Sequence, residues 1–130
     1  MKVLALDYGS ARTGVAVSDP TGTLARPLGV VERAATEAGL AELGRLARAE
    51  EAERIVVGLP LTLRGARGEQ AAETERFVEA LRATVDVPVE LYDERFTTDL
   101  AQQTVGTAPE DALAAAHLLS TYLEWCAAHS

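Results

Sequence analysis

Acidic residues at three distant places in the chain could share one metal site. Asp7 and the pair Asp93-Glu94 each follow a short apolar run, and Asp111 stands near the start of an alanine-rich stretch. A carboxylate at the end of a buried strand is costly unless it is paired, and the usual partner is a metal ion or a substrate. Carboxylate oxygens suit Mg²⁺ or Mn²⁺, whereas no cysteine or histidine cluster typical of zinc is present.

Such a site suits the in-line hydrolysis of a phosphodiester bond, in which one cation activates a water and another stabilises the leaving oxygen. A purely structural role stays open for two of these acids. Asp7 could serve to cap a turn without binding a ligand, and Asp111 could serve to stabilise the helix dipole without binding one. His117 and His129 are the only histidines, and no serine or cysteine stands in a triad-like arrangement. We interpret His117 as a packed helix residue and His129 as part of the chain end.

Glycines and arginines accompany the acids. Gly9 and Gly14 lie between the first two apolar runs, and we predict that they let the backbone turn tightly and a ligand approach. Residues 61–68 read as a glycine-hinged loop in which Arg64 and Arg67 are the only charges.

Hydrophobic periodicity predicts the element order β-β-β-α-β-α-β-α. Strands are predicted over residues 2–7, 14–18, 24–31, 55–60 and 87–92, and helices over residues 36–53, 69–84 and from residue 109. Short connections between the first three strands predict antiparallel pairing, and helical connections predict parallel strands after them. The predicted class is α/β, with a mixed five-stranded sheet flanked by helices. In this arrangement the ends of strands one and five and the start of the last helix converge.

Composition restricts the class of protein further. Residues 1–130 are predicted to form one domain, and a hydrophobic content of 48% excludes disorder. No apolar stretch is long enough to span a membrane, and Met1-Lys2 leads straight into the first strand, so we expect no signal peptide and a cytoplasmic location. The single cysteine, Cys126, is expected to be a buried, inert thiol.

The charge balance complicates a nucleic-acid partner without excluding it. The formal net charge is −8, the wrong sign for binding by bulk electrostatics. Two divalent cations would cancel about four negative charges at the site. All but one of the basic residues are arginine, which suits bidentate phosphate contacts.

Four motifs, in order, closely resemble those of the YqgF/RuvX family. They are DYGSARTGVAVSD at residues 7–19, GLPL at 58–61, DERFTT at 93–98, and Asp111 before an alanine-rich helix. The resemblance covers essentially the whole chain. It implies an RNase H-like fold and a nuclease, in a family described both as Holliday junction resolvases and as nucleases that mature the 5′ end of 16S rRNA.

By motif, the resemblance implies Asp7, Glu94 and Asp111 as the catalytic acids that bind Mg²⁺ or Mn²⁺. The residues that carry over as substrate loops are Gly9, Arg12, Gly58, Pro60, Arg95 and Thr97. One departure is that residues 97–110 contain no basic residue, whereas relatives often carry lysine or arginine there. We therefore expect phosphate contacts at Arg12, Arg64, Arg67 and Arg95, and weak or partner-dependent binding.

The expected substrate is a ribosomal RNA precursor, with branched DNA as the alternative. We expect a monomer or weak homodimer, with a ribosomal or other protein as a possible partner. Two hypotheses of another class stay open. An Asp-x-Gly strand end with a glycine-containing hairpin also resembles actin-like nucleotide-binding proteins, and the missing basic residues would suit a catalytically silent nucleic-acid-binding module.

Overall fold

The computed structural model describes residues 1–59, 69–93 and 110–128, and the predicted element order is present in them. The elements are β1 (Val3–Asp7), β2 (Arg12–Ser18), β3 (Ala25–Glu32), α1 (Glu37–Ala49), β4 (Arg54–Leu59), α2 (Glu69–Arg82), β5 (Val89–Asp93) and α3 (Glu110–Ala128).

The five strands form one sheet in the order β3-β2-β1-β4-β5. β2 pairs antiparallel with β1 and β3, and β4 pairs parallel with β1 and β5. The hairpin connections of β1 to β3 permit antiparallel neighbours, while the helices that precede β4 and β5 provide the crossovers that parallel strands need. The prediction of a mixed sheet with three antiparallel and two parallel strands is confirmed.

Alternate residues of the buried strands fill two cores, one on each face of the sheet. Leu4 and Leu6 belong to the core beneath α1 and α2, here called the α1/α2 face, whereas Val3 and Ala5 belong to the core beneath α3, the α3 face. All four side chains are fully buried. Because side chains alternate along a strand, Asp7 has the parity of the α3 face.

Helix α1 is shorter than predicted. The hydroxyl of Thr36 caps its first turn by accepting a hydrogen bond from the Gly39 amide at 3.2 Å. The helix ends at Ala49, not at residue 53, because Glu51 adopts a left-handed conformation with φ 56°. The Glu53 amide then donates to the Lys2 carbonyl at 2.8 Å, so the chain has already turned toward the sheet.

Helix α3 lies on its own face of the sheet, and Leu118, Leu119 and Tyr122 are buried there. Trp125 of the same helix is 43% exposed, and its ring centroid lies 6.4 Å from that of Tyr122. Cys126 is half-buried, which corrects the expectation that this thiol is buried. Among the described residues, no helix is both long and apolar enough to cross a membrane.

Candidate active site

Asp7 is the last residue of β1 and lies at the carboxyl end of the sheet's central strand. It is half-buried, and its direct partner on β2 is Gly14. On the other side, β1 and β4 are in register up to the Leu6 and Val57 pair. The predicted position of Asp7 at the end of a buried strand is confirmed, and its neighbours on both sides are strands rather than solvent.

The hairpin after Asp7 needs a glycine at position 9. A Cβ atom at Gly9 would lie 2.5 Å from the carbonyl oxygen of Arg12, a distance that side chains do not tolerate. The buried Thr13 hydroxyl lies 3.4 Å from both the amide nitrogen and the carbonyl oxygen of Gly9. Gly9 therefore permits the tight connection that returns the chain from the acid into β2.

Gly14 has a different role from the one predicted. It lies in β2, as predicted, but it is the third residue of the strand and its φ is not positive, so the tight turn does not depend on it. A Cβ atom there would be 1.8 Å from the carbonyl oxygen of Asp111 and 3.0 Å from the amide nitrogen of Ala112. What approaches this glycine is thus the backbone of α3, not a turn of its own chain.

Asp111 lies in the first turn of α3, beside Glu110. Its Oδ2 atom is 3.3 Å from Nε of Arg12, the first residue of β2. The Arg12 side chain is 66% exposed and that of Asp111 is 35% exposed, so the pair is open to solvent. Both predicted acids of the described residues are therefore associated with the β1–β2 hairpin, Asp7 through the Gly14 pairing and Asp111 through packing on Gly14.

Gly58 of β4 lies beside this region. It is buried, pairs with Tyr92 of β5, and follows Val57, the partner of Leu6. The next pair along, Leu59 and Asp93, brings the end of β5 to the same edge of the sheet. The ends of β1, β4 and β5 thus lie at the same edge of the sheet, as predicted for β1 and β5.

Six predicted site residues lie outside the described residues. They are Pro60, Arg64, Arg67, Glu94, Arg95 and Thr97. Within residues 1–59, 69–93 and 110–128, no group of three histidine, cysteine, aspartate or glutamate residues could hold a metal ion. The described part of the site supplies two acids, Asp7 and Asp111, whose oxygen donors are the type that Mg²⁺ and Mn²⁺ prefer.

Tyr8 supports the site in a way that sequence reasoning missed. Its hydroxyl donates a 2.7 Å hydrogen bond to Oε2 of Glu73, and its ring stacks on Phe77 with centroids 4.4 Å apart. Burial, followed by the hydrogen bond and charge of Glu73, raises the pKa of Tyr8 to about 12. The residue after Asp7 is thereby fixed to α2 on the opposite face of the sheet. The sequence does contain a signal for this contact, because an aromatic residue next to Asp7 in an extended strand points to the opposite face of the sheet.

Four described arginines outside the candidate site already form ion pairs with glutamates. Arg26 contacts Glu50, Arg45 contacts Glu42, Arg54 contacts Glu90, and Arg82 contacts Glu79. A paired guanidinium is less available to a phosphate, because binding would have to break the pair. Arg12, the predicted phosphate contact in the described residues, is paired as well, but its partner is the candidate ligand Asp111.

Solved structures with a similar arrangement establish the class of fold. The RuvC of Thermus thermophilus in complex with Holliday junction substrate superposes with a TM-score of 0.70 at 17% identity, covering 98% of this chain and 96% of that chain. The fowlpox virus resolvase with its substrate Holliday junction DNA gives a TM-score of 0.54 at 10% identity, covering 97% and 99%. The protein therefore has the RNase H-like fold of the RuvC-like resolvases, as expected.

Comparison of the amino-acid sequence identifies the family of this protein. A family model described as "RuvX: Holliday junction resolvase" matches residues 1–125. A protein of Chloroflexus aggregans is 41% identical, with 94% of this chain and 92% of that protein covered, and one of Bordetella petrii is 38% identical, with 94% of each covered. Both relatives are named "Putative pre-16S rRNA nuclease". The chain belongs to the RuvX family, which confirms the resemblance seen in its motifs.

Proposed function

We propose that this protein is a divalent-metal-dependent nuclease, a single domain over residues 1–130 that hydrolyses phosphodiester bonds in the 5′-end maturation of pre-16S rRNA. The observation that carries the proposal is the meeting of two acids at Gly14: Asp7 pairs with it across the sheet, and Asp111 packs on it through the first turn of α3. The names of the relatives support the reaction class and the RNA substrate.

In the proposed site, Asp7, Asp111 and Glu94 hold Mg²⁺ or Mn²⁺. Bound cations supply the activation of a water and the stabilisation of the leaving oxygen. β1 fixes the position of Asp7, and α3 fixes the position of Asp111. Arg12 contributes a guanidinium at the edge where the phosphate enters. Because Arg12 already reaches Asp111, it lies within reach of a phosphate that approaches that carboxylate.

The parity of β5 supports Glu94 as the third acid. Tyr92 belongs to the core beneath α3, and Glu90 accepts a 2.9 Å hydrogen bond from Tyr122 of that helix. Val89, of opposite parity, belongs to the core of the α1/α2 face. Even-numbered positions of β5 therefore face the side of the sheet on which Asp111 lies, and Glu94 is the next even-numbered residue of the sequence.

Branched DNA is the second candidate substrate, and the description of the matching family model favours it. A junction resolvase needs two sites that face two strands, and hence a symmetric dimer. We propose a monomer or weak homodimer, which favours RNA. We also propose that the protein acts in the cytoplasm, with a ribosomal or other protein partner that compensates for the net charge of −8.

A matched substrate panel tests the proposal. The purified protein with Mn²⁺ is offered single-stranded RNA, duplex RNA, an RNA that spans the 5′ end of 16S rRNA with its precursor extension, and a synthetic four-way DNA junction. We expect cleavage of the precursor RNA, and no cleavage by Asp7→Asn, which removes a charged ligand and nearly preserves shape. Paired symmetric nicks in the junction with RNA intact would establish the DNA alternative. Equal cleavage by Asp7→Asn would overturn the site.

The alternatives without hydrolysis have their own readouts. An actin-like nucleotide-binding protein would bind ATP and Mg²⁺ with micromolar affinity in calorimetry and would leave all four nucleic acids intact. A silent binding module would bind nucleic acid tightly and show no metal-dependent turnover. We expect neither pattern from the wild-type protein.

A further inference from the structure

We propose that Gly14 is a positioning residue that sets the separation of the two acids Asp7 and Asp111. This inference rests on the proposed function, since it assigns the metal site its geometry. Gly14 is the direct cross-strand partner of Asp7, and directly paired residues of an antiparallel sheet lie about 4.5–5.5 Å apart between Cα atoms. One neighbour of Gly14 is therefore the first acid.

The other neighbour is the backbone of the second acid. A Cβ atom at Gly14 would lie 1.8 Å from the carbonyl oxygen of Asp111, 2.3 Å from its carbonyl carbon and 3.0 Å from the amide nitrogen of Ala112. These are main-chain atoms of the first turn of α3, so no side-chain rotation can relieve the overlap. A side chain of any kind at position 14 would move the start of α3 away from the sheet.

The packing further along α3 argues that such a shift would be local. Ala115, Leu118 and Leu119 are buried in the core of the α3 face, and they keep the middle of the helix on the sheet. The first turn is also the part of the helix that carries Asp111. A larger residue at position 14 should thus pivot Asp111 away from Asp7 and leave most of the helix in place.

The size of the shift gives the proposal a specific test. Restoring van der Waals contact from 1.8 Å requires a displacement of about 1.6–2.2 Å. This is comparable to the length of the one carbon–carbon bond that separates glutamate from aspartate, about 1.5 Å. Asp111→Glu should therefore weaken Mn²⁺ binding when residue 14 is glycine and strengthen it when residue 14 is alanine. If Gly14 were needed only for stability, Asp111→Glu would have the same effect on Mn²⁺ affinity in both backgrounds.

The matched control is Gly29, which lies in the same sheet on β3, where it pairs with Val15 of β2. A Cβ atom at Gly29 would meet nothing within 4 Å. Gly29→Ala therefore introduces the same methyl group into the same antiparallel region without touching α3.

The experiment measures Mn²⁺ affinity by calorimetry and cleavage of the precursor RNA for the wild type, Gly29→Ala, Gly14→Ala, Asp111→Glu and the Gly14→Ala/Asp111→Glu double variant. We expect Gly29→Ala to match the wild type, and Gly14→Ala to bind Mn²⁺ about 10- to 100-fold more weakly and cleave on the order of 100-fold more slowly. The double variant should bind more tightly than Gly14→Ala. If Gly14→Ala equals Gly29→Ala, or if Asp111→Glu costs the same factor in both backgrounds, the proposal is wrong.

Two further outcomes are kept distinct. If Gly14→Ala does not fold, Ala112→Ser takes its place. Ala112 is fully buried in the first turn of α3, so an atom added to its side chain should also displace that turn. Rescue of the Mn²⁺ affinity of Ala112→Ser by Asp111→Glu supports the proposal, and additive losses overturn it. If the wild type binds no Mn²⁺ and cleaves nothing, the proposed nuclease function fails instead.

Discussion

The Nε atom of Arg12 lies 3.3 Å from Oδ2 of Asp111, so a cationic side chain occupies the place beside a carboxylate that is expected to bind metal. The pair joins the first residue of β2 to the first turn of α3. A metal ion and a guanidinium compete for the lone pairs of the same carboxylate, and a phosphate can take over the released guanidinium. Arg12 is thus suited to exchange one anionic partner for another when metal and substrate bind.

We predict that Arg12→Gln binds Mn²⁺ about two- to fivefold more tightly than the wild type and binds RNA more weakly. The first effect is small because an exposed ion pair is worth at most about 1 kcal/mol, and the second follows from the loss of a phosphate contact. Calorimetry with Mn²⁺ and a filter-binding titration with RNA in Ca²⁺ measure the two effects separately.

Arg26→Gln is the matched control for this prediction. Arg26 is similarly exposed, at 63%, and its Nη2 atom lies 3.6 Å from Glu50, but it pairs with Val17 near the other end of β2. It should leave Mn²⁺ affinity unchanged. A loss of Mn²⁺ affinity in Arg12→Gln would contradict the competition between the guanidinium and the metal.

Tyr8→Phe should lower the free energy of unfolding by about 1–2 kcal/mol. The substitution keeps the ring that stacks on Phe77 but removes the 2.7 Å hydrogen bond to Glu73, and the Tyr8 side chain is only 7% exposed. The melting temperature should fall by about 3–8 °C. Glu73→Gln, which retains a hydrogen-bond acceptor, should cost less than Glu73→Ala, and equal losses in all three variants would contradict a specific Tyr8–Glu73 bond.

Tyr8 should also make the stability of the folded protein depend on pH. The pKa of Tyr8 is raised from 10.0 to about 12 in the folded protein, mainly by burial and then by Glu73. Its contribution to stability is therefore fully present below pH 10 and is lost as the pH rises from 10 to about 12, because the unfolded chain releases the proton first. In urea titrations across this window, wild-type stability should fall more steeply than that of Tyr8→Phe, and parallel curves would refute the shift.

The sequence predicted the sheet well because each strand obeys a local rule. The alternation of Leu4 and Ala5 between two cores follows from strand geometry alone, and the antiparallel and parallel pairings follow from connection length. The predicted helix α1 was too long because Glu51 and Glu53 continue a composition that favours helix. The left-handed φ at Glu51 is imposed by the path of the chain into β4, which no local pattern specifies.

Contacts between distant segments were harder to predict. Gly14 reads locally as a turn residue, and only the position of α3 reveals that it accommodates the backbone of Asp111. The Tyr8–Glu73 bond joins residues 65 positions apart, and no local pattern specifies such a partner. The sequence therefore predicted that Asp7 would end a buried strand and that Asp111 would begin the last helix, but not the contact at Gly14 that brings them together.

Substrate binding should depend on the arginines of residues 61–68. Arg26, Arg45, Arg54 and Arg82 are paired with acids outside the candidate site. The predicted phosphate contacts are Arg12, Arg64, Arg67 and Arg95. Each lost contact should reduce the slope of log K against log salt by about 0.7 for single-stranded RNA.

The measurement is a salt titration of RNA binding by Arg64→Gln, Arg67→Gln and the double variant. Arg45→Gln removes the same charge from an ion pair on α1 and serves as the control. We expect the double variant to lose about twice the slope of either single variant and Arg45→Gln to retain the wild-type slope. The same reduced slope in Arg45→Gln as in either single variant would mean that only net charge matters, and the wild-type slope in all four variants would exclude Arg64 and Arg67 as phosphate contacts.

We expect different roles for the neighbouring acids Asp93 and Glu94. Tyr92 of β5 belongs to the core beneath α3, the helix that carries Asp111, so even-numbered positions of β5 face that side of the sheet. Glu94 is the next even-numbered residue of the sequence. A glutamate side chain also has the length to span the gap from a strand end to an ion held by Asp7 and Asp111. Asp93 is then left to cap the turn or to orient Arg95 through a charge-assisted hydrogen bond.

Glu94→Gln should therefore eliminate metal-dependent cleavage, since it removes a charged ligand and keeps the shape of the side chain. Asp93→Asn should lower stability or substrate affinity and retain measurable turnover. Both variants are compared with the wild type at saturating RNA and saturating Mn²⁺, so that weaker substrate binding cannot imitate a loss of chemistry, and circular dichroism verifies that each is folded. An inactive Asp93→Asn beside an active Glu94→Gln would reverse the assignment of the third acid.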